Sequence, residues 1–407
     1  MTVLEGGVTA AKGFQAAGVA AGLRKSGKKD MAMVYSEVPA VTAGTFTTNV
    51  VKAAPVKWDQ KLVKEQASAR AVILNSGIAN ACTGAEGVLF NEKMAQAAAK
   101  VLNTEKEMVL TASTGVIGMQ LPADKIEHGA GLLKAALQDT REAGHDAALA
   151  IMTTDTIPKE CAVSFPIQGK TVTLGGMSKG SGMIHPNMAT MLSVITTDAA
   201  ISKELLQEAL SADIKTSFNM ISVDRDTSTN DTLLILANGL AGNEQITKKD
   251  ADYELFCQAL NYVTTTLAKM MAGDGEGATK LFEVMVVGAE SKEQAAVLSK
   301  SVITSNLVKT AIYGSDANWG RILCAMGYSG ADFDPDAVDV TIQSSAGTLL
   351  IVKNGMAADY SEEFATEILS KEQVTALIDV KMGAETATAW GCDLTYDYVK
   401  INGDYRS

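Results

Sequence analysis

The chain has 407 residues, of which 47% are hydrophobic and only 5% aromatic, so it can bury a sizeable aliphatic core in two domains or one large α/β unit. The net charge of −12, the lack of a basic block and the lack of any run of 18 apolar residues argue against nucleic acid or a membrane as a partner. Five widely spaced cysteines without a CxxC pair, and an N-terminus unlike a signal peptide, predict a cytoplasmic protein with reduced thiols and no zinc site.

Strand and helix patterns alternate along the whole chain, which predicts a layered α/β or α+β fold. The predicted strands are 31–41, 43–50, 70–74, 109–111, 161–167, 170–174, 191–197, 232–237, 281–287, 338–342 and 349–352. The predicted helices are 91–102, 123–137, 143–152, 202–218, 251–271 and 291–305, with Ser202 as a helix cap. The pair 161–167 and 170–174 reads as a hairpin through Gln168 and Gly169. The last stretch, 386–401, reads as strand-rich.

The loop at 179–192 contains glycines, a turn at residues 185–187, and then Ala189-Thr190 directly before an apolar strand. In such an arrangement the chain could cut itself and expose the threonine as a new N-terminus. The ordinary alternative is a loop that leads into a strand, because threonine is common at strand starts.

Histidine is scarce, because only His128, His145 and His185 occur, and no GxSxG motif is present. An acyl-transfer enzyme without a histidine base needs another base, and the free α-amine of an N-terminal threonine is one such base. Its reference pKa of roughly 7.7–8.0 leaves a useful fraction unprotonated near neutral pH.

Two further stretches could serve such a reaction. Ser113-Thr114-Gly115 follows a short strand and could form an oxyanion hole, or simply a turn that needs a glycine. Glycines surround Asp274 and Glu276, where a carboxylate could hold a substrate ammonium or merely face solvent. The sequence GLRKSGKK at 22–29 lacks the Ser or Thr of a phosphate-binding loop, so we interpret it as a basic surface turn.

Together these motifs resemble one family along essentially the whole chain: the glutamate N-acetyltransferase / ornithine acetyltransferase enzymes of arginine biosynthesis. The resemblance includes NSG at 75–77, ANA at 79–81, STGVIG at 113–118, IMTTDT at 151–156, GDGEGATK at 273–280 and YGSDANWGR at 313–321. It also includes residues 6–14, 179–192, 226–232 and 401–407.

The resemblance implies a layered α/β/β/α sandwich like that of N-terminal-nucleophile enzymes. It implies self-cleavage between Ala189 and Thr190, an α chain of 1–189, a β chain of 190–407 and an α2β2 assembly. Thr190 would be the nucleophile, and Thr114 and Gly115 would hold the oxyanion.

By the same resemblance, substrate contacts would fall on Thr153, Lys179, Thr190, Glu276, Asn402 and Ser407. The implied reaction moves an acetyl group from N2-acetyl-L-ornithine to L-glutamate, giving ornithine and N-acetylglutamate, without cofactor or metal. Acetyl-CoA could serve as a second donor substrate. Ile78, Arg225 and Ser407 depart from the residues expected at their positions, which are Asn, Gly and Thr.

Two other kinds of protein stay open from the residues alone. A related N-terminal-nucleophile amidase or aminopeptidase would use water as the acceptor. A non-catalytic binding protein would use the same loops to hold an amino acid.

Overall fold

The computed structural model describes residues 1–185 and 191–404, and it divides into two compact units. Unit 1 comprises Met1–Gly180, Pro186–Asn219 and Thr227–Leu267. Unit 2 comprises Ser181–His185, Met220–Asp226 and Ala268–Ser407. Each unit has its own β-sheet, covered by helices.

The sheet of unit 1 has nine strands within the described residues, in the order β1-β6-β7-β8-β9-β3-β4-β5, with β2 also paired to β3. The pairs β4–β5 and β8–β9 are parallel, and the others are antiparallel. The strands are β1 Thr2–Leu4, β2 Phe14–Val19, β3 Met31–Phe46, β4 Ser68–Asn75, β5 Val109–Ser113, β6 Lys159–Ile167, β7 Lys170–Lys179, β8 Leu192–Thr197 and β9 Thr232–Ala237.

Helices of unit 1 pack on this sheet, and the buried side chains between them are mainly Ala, Val, Leu, Ile and Met. The predicted aliphatic core is therefore confirmed. The helices are α1 Ala54–Glu65, α2 Gly84–Leu102, α3 Ala123–Ala136, α4 Arg141–Ile151, α5 Lys203–Asp213 and α6 Ala251–Gly273, the last of which runs on into unit 2.

The sheet of unit 2 has the order β13-β12-β11-β14-β10-β15, with β10 and β14 parallel, and its first helix packs on β10 and β15. The strands are β10 Leu281–Ala289, β11 Asp339–Ser344, β12 Gly347–Lys353, β13 Met356–Ala357, β14 Gln373–Asp379 and β15 Glu385–Cys392. The helices are α7 Lys292–Thr304, α8 Asn306–Tyr313, α9 Trp319–Gly327, α10 Glu362–Leu369 and α11 Tyr396–Gly403. The predicted mixed α/β class is confirmed in both units.

Strands β7 and β8 flank the loop that contains Ala189-Thr190. Gln168 and Gly169 have φ of 51° and 73°, so the predicted hairpin of β6 and β7 closes on a left-handed two-residue turn. At the other end of β7, Lys179 pairs with Leu192 of β8. The strands before and after the predicted cut are thus hydrogen-bonded neighbours.

Three sequence predictions are wrong in part. Residues 31–50 do not form two strands, because β3 runs from Met31 to Phe46 and absorbs an irregularity between Tyr35 and Ala40. The helix predicted to Phe218 ends at Asp213, whose carbonyl oxygen accepts hydrogen bonds from Thr216 and Ser217.

The third error lies at the C-terminal end. Residues 396–403 form helix α11, although the pattern of Tyr and Val there favoured a strand. Asp397 in the first turn and Lys400 in the last turn match the helix dipole, and this local signal outweighs β-propensity.

Candidate active site

The turn after β5 contains the two predicted oxyanion donors. Thr114 donates its backbone N–H to the Asn75 carbonyl at 3.0 Å, and its side chain is 9% exposed. Gly115 has φ +129°, and a Cβ atom built on it would lie 2.2 Å from the carbonyl carbon of Gly77. Since no other residue fits, the structure requires glycine at this position for sterics alone.

Asparagine side chains hold this turn against the neighbouring turn after β4. Ser113 donates to Asn75 at 2.7 Å, and Asn75 donates to the carbonyl oxygen of Ile78 at 2.9 Å. Asn230 donates to the carbonyl oxygens of Ala79 at 2.6 Å and Ser113 at 2.8 Å. The backbone around Thr114 is therefore fixed by buried hydrogen bonds before any substrate arrives.

Lys179, the last residue of β7, reaches Thr114. Its side chain is buried, and its Nζ donates to Thr114 Oγ1 at 3.2 Å. An ammonium group has donors only, so the hydroxyl hydrogen of Thr114 remains available for another acceptor. This arrangement suits a hydroxyl that must donate to a developing oxyanion.

Asp155 connects Thr153 to the backbone next to Lys179. Its Oδ2 accepts the Thr153 N–H at 3.0 Å, and its Oδ1 accepts the Gly180 N–H at 2.6 Å and the Lys159 ammonium at 2.7 Å. Burial by itself would raise the pKa of Asp155, but the charges of Lys179 and Lys159 and the hydrogen bonds lower that pKa to about 2. The carboxylate is thus ionised at neutral pH.

Asp231 is a second buried carboxyl in unit 1. It precedes β9, is 2% exposed, and accepts the backbone N–H of Met191, the residue after Thr190. Burial raises its pKa well above the ordinary value, against the charge of Lys179. Its Oδ2 has no hydrogen-bond partner among the described residues.

Sequence reasoning assigned no role to Asp155, Lys159 or Asp231. Asp155 lies inside the motif at 151–156 and Asp231 inside the polar stretch at 226–232, so the motifs contained the signal. The contacts with Lys179 and Met191 that single them out appear only in the folded chain.

In unit 2, the structure brings Glu276 and Asn402 together. Glu276 is 7% exposed, its N–H donates to the carbonyl oxygen of Ser181 at 2.8 Å, and its Oε2 accepts from Asn402 Nδ2 at 2.7 Å. Asn402 lies in α11, where its Nδ2 also contacts the carbonyl oxygen of Tyr398 at 3.0 Å. An acidic side chain is thus held at the edge of a glycine-rich turn.

The segment after Gly180, Ser181–His185, is part of unit 2 and is held by contacts within that unit. A Cβ atom on Gly182 would lie 2.2 Å from the Glu276 carboxyl carbon, so glycine leaves room for the carboxylate. Asp224 accepts the backbone N–H groups of Met183 at 2.6 Å and Ile184 at 2.8 Å. These contacts fix residues 182–184, which lead toward the predicted nucleophile.

His185 is poorly suited to act as a base at neutral pH. Burial, followed by the charges of Lys300 and Arg225, lowers its pKa to about 4. Its Nδ1 lies 3.1 Å from Ser222 Oγ. His145 on α4 is paired with Glu160 Oε2 on β6 at 2.6 Å.

Ala189, Thr190 and Ser407 lie outside the described residues. Thr114, Gly115, Thr153 and Lys179 fall in unit 1, and Glu276 and Asn402 in unit 2. Their catalytic and binding roles stay predictions. Within the described ranges no group of His, Cys, Asp or Glu could hold a metal ion, and no helix there is both long and apolar enough to cross a bilayer.

Comparison with known proteins gives one consistent family. The model of the ArgJ family matches residues 15–407. The chain belongs to the ArgJ family. An arginine biosynthesis bifunctional protein ArgJ from Caldanaerobacter subterraneus subsp. tengcongensis is 50% identical over 100% of both chains. That of Bacillus subtilis is 48% identical over 99% of this chain and 97% of its own.

Solved structures give the same family name. A structure of ArgJ from Bacillus halodurans is 47% identical, covers 51% of this chain and 96% of its own, and has a TM-score of 0.49. The resemblance inferred from the motifs is confirmed by the family model over residues 15–407 and by the identity to the two ArgJ relatives. Membership of the ArgJ family favours an acetyltransferase over the amidase alternative.

Two departures from the expected ArgJ pattern now have a structural setting. Ile78 is 4% exposed and packs in an aliphatic cluster of unit 1, with its carbonyl oxygen bound by Asn75. It therefore contributes to the core beside the Thr114 turn. Arg225 instead is exposed, with φ +71°.

Proposed function

We propose that this enzyme transfers the acetyl group of N2-acetyl-L-ornithine to L-glutamate through an acetyl ester on Thr190, after cleavage of the Ala189–Thr190 bond. The observation that carries the proposal is the contact of 3.2 Å between Lys179 Nζ and Thr114 Oγ1, beside the sterically required Gly115. This contact leaves a hydroxyl hydrogen and the Gly115 N–H as candidate donors in a rigid turn.

Maturation would begin with attack of Thr190 Oγ on the Ala189 carbonyl carbon. The peptide C–N bond breaks as the ester forms, which frees the threonine amine. Water then hydrolyses the ester, which releases the Ala189 carboxylate and restores the Thr190 hydroxyl. In the mature enzyme this amine takes the Oγ proton as Oγ attacks the acetyl carbonyl carbon. The proton passes to the departing ornithine amine as the amide bond breaks.

The second half-reaction reverses these steps with glutamate. Its α-amine attacks the acetyl ester, the Thr190 oxygen leaves and regains a proton, and N-acetylglutamate departs. Thr114 and Gly115 would stabilise the oxyanion in both halves, at about 3–4 kcal/mol of barrier per donor. Lys179 would bind a substrate carboxylate, and Glu276 with Asn402 would bind an ammonium or amine.

Thr153 and Ser407 would complete the amino-acid pocket, and the α and β chains would assemble as α2β2 in the cytoplasm. Acetyl-CoA would be a second acetyl donor, which is in keeping with the name "bifunctional" of the ArgJ relatives. No cofactor or metal is required for any of these steps.

Mass spectrometry and an acetyl trap test the proposal together. The intact mass should show two fragments that meet at Ala189/Thr190, and N-acetylornithine without glutamate should add one acetyl group to the β chain. Thr190→Ser is the matched variant that keeps a hydroxyl nucleophile, whereas Thr190→Ala should remain uncut. A fully active enzyme that stays as one chain would rule out the mechanism.

A further inference from the structure

Unit 2 contains a cavity of about 300 Å³ that the amino-acid substrates do not account for. Two arginines, Arg225 and Arg321, line it together with Asn306, Gly320 and Tyr328. Its described lining includes no Asp or Glu. In a chain with a net charge of −12, a cavity whose charged lining residues are both arginines is a local reversal of charge.

Arg225 is held in an unfavourable backbone conformation. Its φ of +71° lies in the left-handed region that glycine adopts without cost and a side chain adopts with strain. Its guanidinium makes no hydrogen bond or ion pair with the described residues, so no internal contact offsets that strain. A strained residue with a free charged group at a cavity points to a ligand.

Arg321 is oriented by backbone and hydroxyl groups instead of by a carboxylate. Its Nη1 donates to the carbonyl oxygen of Leu307 at 2.9 Å and to Thr310 Oγ1 at 3.3 Å. The remaining guanidinium donors stay available. A preoriented arginine without a counter-charge is suited to bind phosphate oxygens.

A third cation lies nearby. Lys300 on α7 is partly buried, which lowers its pKa, and its charge and that of Arg225 both act on His185. Lys300 has no ion pair among the described residues. Lys300 does not line the cavity, but it adds a second positive charge beside Arg225 in acting on His185.

Backbone N–H groups at the cavity add to the positive charge that the two arginines supply. Helices α8 and α9 both begin at the cavity, and the N–H groups of Asn306, Leu307 and Gly320 have no acceptor in the described chain. Only Asn318 Oδ1 lies within 4 Å of a Cβ position on Gly320, at 3.7 Å, so the space above it is open. These groups reinforce the arginines but would not by themselves make a site.

The nearest carboxylates are directed to other groups or lie outside the lining. Asp224 accepts the N–H groups of Met183, Ile184 and Asp226, and Asp316 accepts from Asn318 Nδ2 at 3.0 Å. Asp226 follows Arg225 but does not line the cavity. An anion would thus meet donors on the cavity walls.

We propose that this cavity binds the phosphate groups at the nucleotide end of acetyl-CoA. The inference rests on the proposed use of acetyl-CoA as second donor and gives that donor a binding site of its own. N-acetylornithine and glutamate carry carboxylates, but their proposed carboxylate partner is Lys179 of unit 1, whereas the phosphates of acetyl-CoA have no other proposed partner. Tyr328, which is 62% exposed at the cavity, offers a ring on which adenine can stack.

The position of Arg225 in the chain is consistent with the binding of acetyl-CoA at this cavity. Asp224, the neighbour of Arg225, holds Met183 and Ile184 in the segment that leads to residue 190. A ligand anchored at Arg225 is therefore tied to the same segment as the nucleophile. The flexible pantetheine arm of CoA is the part of the ligand that has to reach the acyl centre.

Calorimetric binding of desulfo-CoA to the full-length protein tests the site without any need for catalysis. Arg225→Gly is the key variant, because glycine relieves the backbone strain and should keep or raise Tm. We expect desulfo-CoA to bind this variant about 10-fold more weakly or worse, the loss typical of one charge-assisted hydrogen bond. Arg321→Lys should weaken binding by a smaller factor. Arg141→Gln, a loss of the same charge from an exposed residue of unit 1, should leave it unchanged.

Kinetics separate this inference from the proposed function. In Arg225→Gly the KM for acetyl-CoA should rise, while kcat and the KM for N-acetylornithine stay as in the unmodified enzyme. Equal desulfo-CoA affinity in Arg225→Gly, or no binding by the unmodified protein, would overturn the inference. Binding of inorganic phosphate as tight as that of desulfo-CoA would overturn the CoA assignment. Loss of acetyl exchange between N-acetylornithine and glutamate in the unmodified enzyme would instead overturn the proposed function alone.

Discussion

The predicted oxyanion turn of unit 1 and the predicted substrate turn of unit 2 are built in different ways. Around Thr114, buried asparagines fix the backbone, and Asp155, paired with Lys159, holds Gly180 next to the Lys179 that contacts Thr114. Glu276 is also buried, at 7% exposed, but glycines flank it in the sequence and its carboxylate is held by Asn402, which is exposed. The first region, which we call rigid, is held by buried groups, and the second, which we call open, is held by an exposed partner.

This difference corresponds to what each region has to do. An oxyanion forms at one point in both half-reactions, so its donors gain from being fixed in advance. The amino-acid pocket has to accept ornithine and then glutamate, whose side chains carry opposite charges. A carboxylate whose hydrogen-bond partner, Asn402, is exposed can adjust to both.

The variant with the largest expected effect on this contrast removes the negative charge of Asp155, which supports the rigid region. Asp155→Asn removes a fully buried charge that lies 2.7 Å from the ammonium of Lys159, which is 0% exposed. Breaking a buried ion pair costs about 3–5 kcal/mol, so urea unfolding at pH 7 should show a loss of that order. Asp139→Asn, on an exposed loop, is the control and should change little.

The same variant has a defined pH dependence. The pKa of Asp155 is lowered from 3.8 to about 2 in the folded state, so its stabilisation is complete above pH 4 and is lost as pH falls toward 2. The difference between the two proteins should shrink across that window. A constant difference would mean that the charge of Asp155 is unimportant.

Thr114→Ala tests whether the hydroxyl group of the rigid turn stabilises the oxyanion. Loss of one oxyanion donor lowers kcat by about 10²–10³ in comparable enzymes, and KM for N-acetylornithine should stay nearly constant. Thr171→Ala is the control, because it removes a threonine hydroxyl at the exposed start of β7 and should leave kcat unchanged. A Thr114→Ala enzyme with normal kcat would exclude this hydroxyl as a donor.

Glu276→Gln tests the open region with a smaller expected effect. The amide can still accept from Asn402, but it loses the negative charge for an ammonium group. We expect KM for the amino-acid substrates to rise about 10-fold, the difference typical of a charged over a neutral hydrogen bond. Glu367→Gln on α10 is the matched control. An unchanged KM would remove Glu276 from the pocket.

The smallest effect concerns Asp59 of α1, which accepts the Thr111 N–H at 2.8 Å within β5. Burial raises the pKa of Asp59 well above 3.8, so ionisation costs the folded state stability as pH rises past that value. Asp59→Asn never ionises and should gain stability relative to the unmodified protein at pH 7 but not at pH 4. Urea unfolding at both pH values checks this, and an equal difference at both would contradict it.

The sequence predicted the parts of the fold that have strong local periodicity. Strands β8 and β9 and the cap at Ser202 are examples, because each depends on neighbouring residues alone. Strand β3 was mispredicted because pairing with β9 and β4 extends it, and helix α11 because β-propensity was weighted above the local charges that match the helix dipole. Short helices such as α8 and α9 were not predicted, since few residues define each pattern.

The residues of the candidate site could likewise be predicted from the sequence only in part. Thr114, Gly115, Lys179 and Glu276 could be proposed because they lie in motifs that resemble the ArgJ family. Asp231 could not, because its proximity to Met191 arises from the parallel pairing of β8 with β9. The cavity at Arg225 likewise joins two stretches almost a hundred residues apart in the chain.

The hydrogen-bonded pairing of Lys179 with Leu192 has a thermodynamic consequence for a protein cut after residue 189. Strands β7 and β8 would then belong to separate polypeptides that are held together only by non-covalent contacts. Unfolding would release two molecules, so the apparent Tm would rise with protein concentration by mass action. In the uncut chain, the same sheet would melt at a temperature independent of dilution unless it also assembles into oligomers.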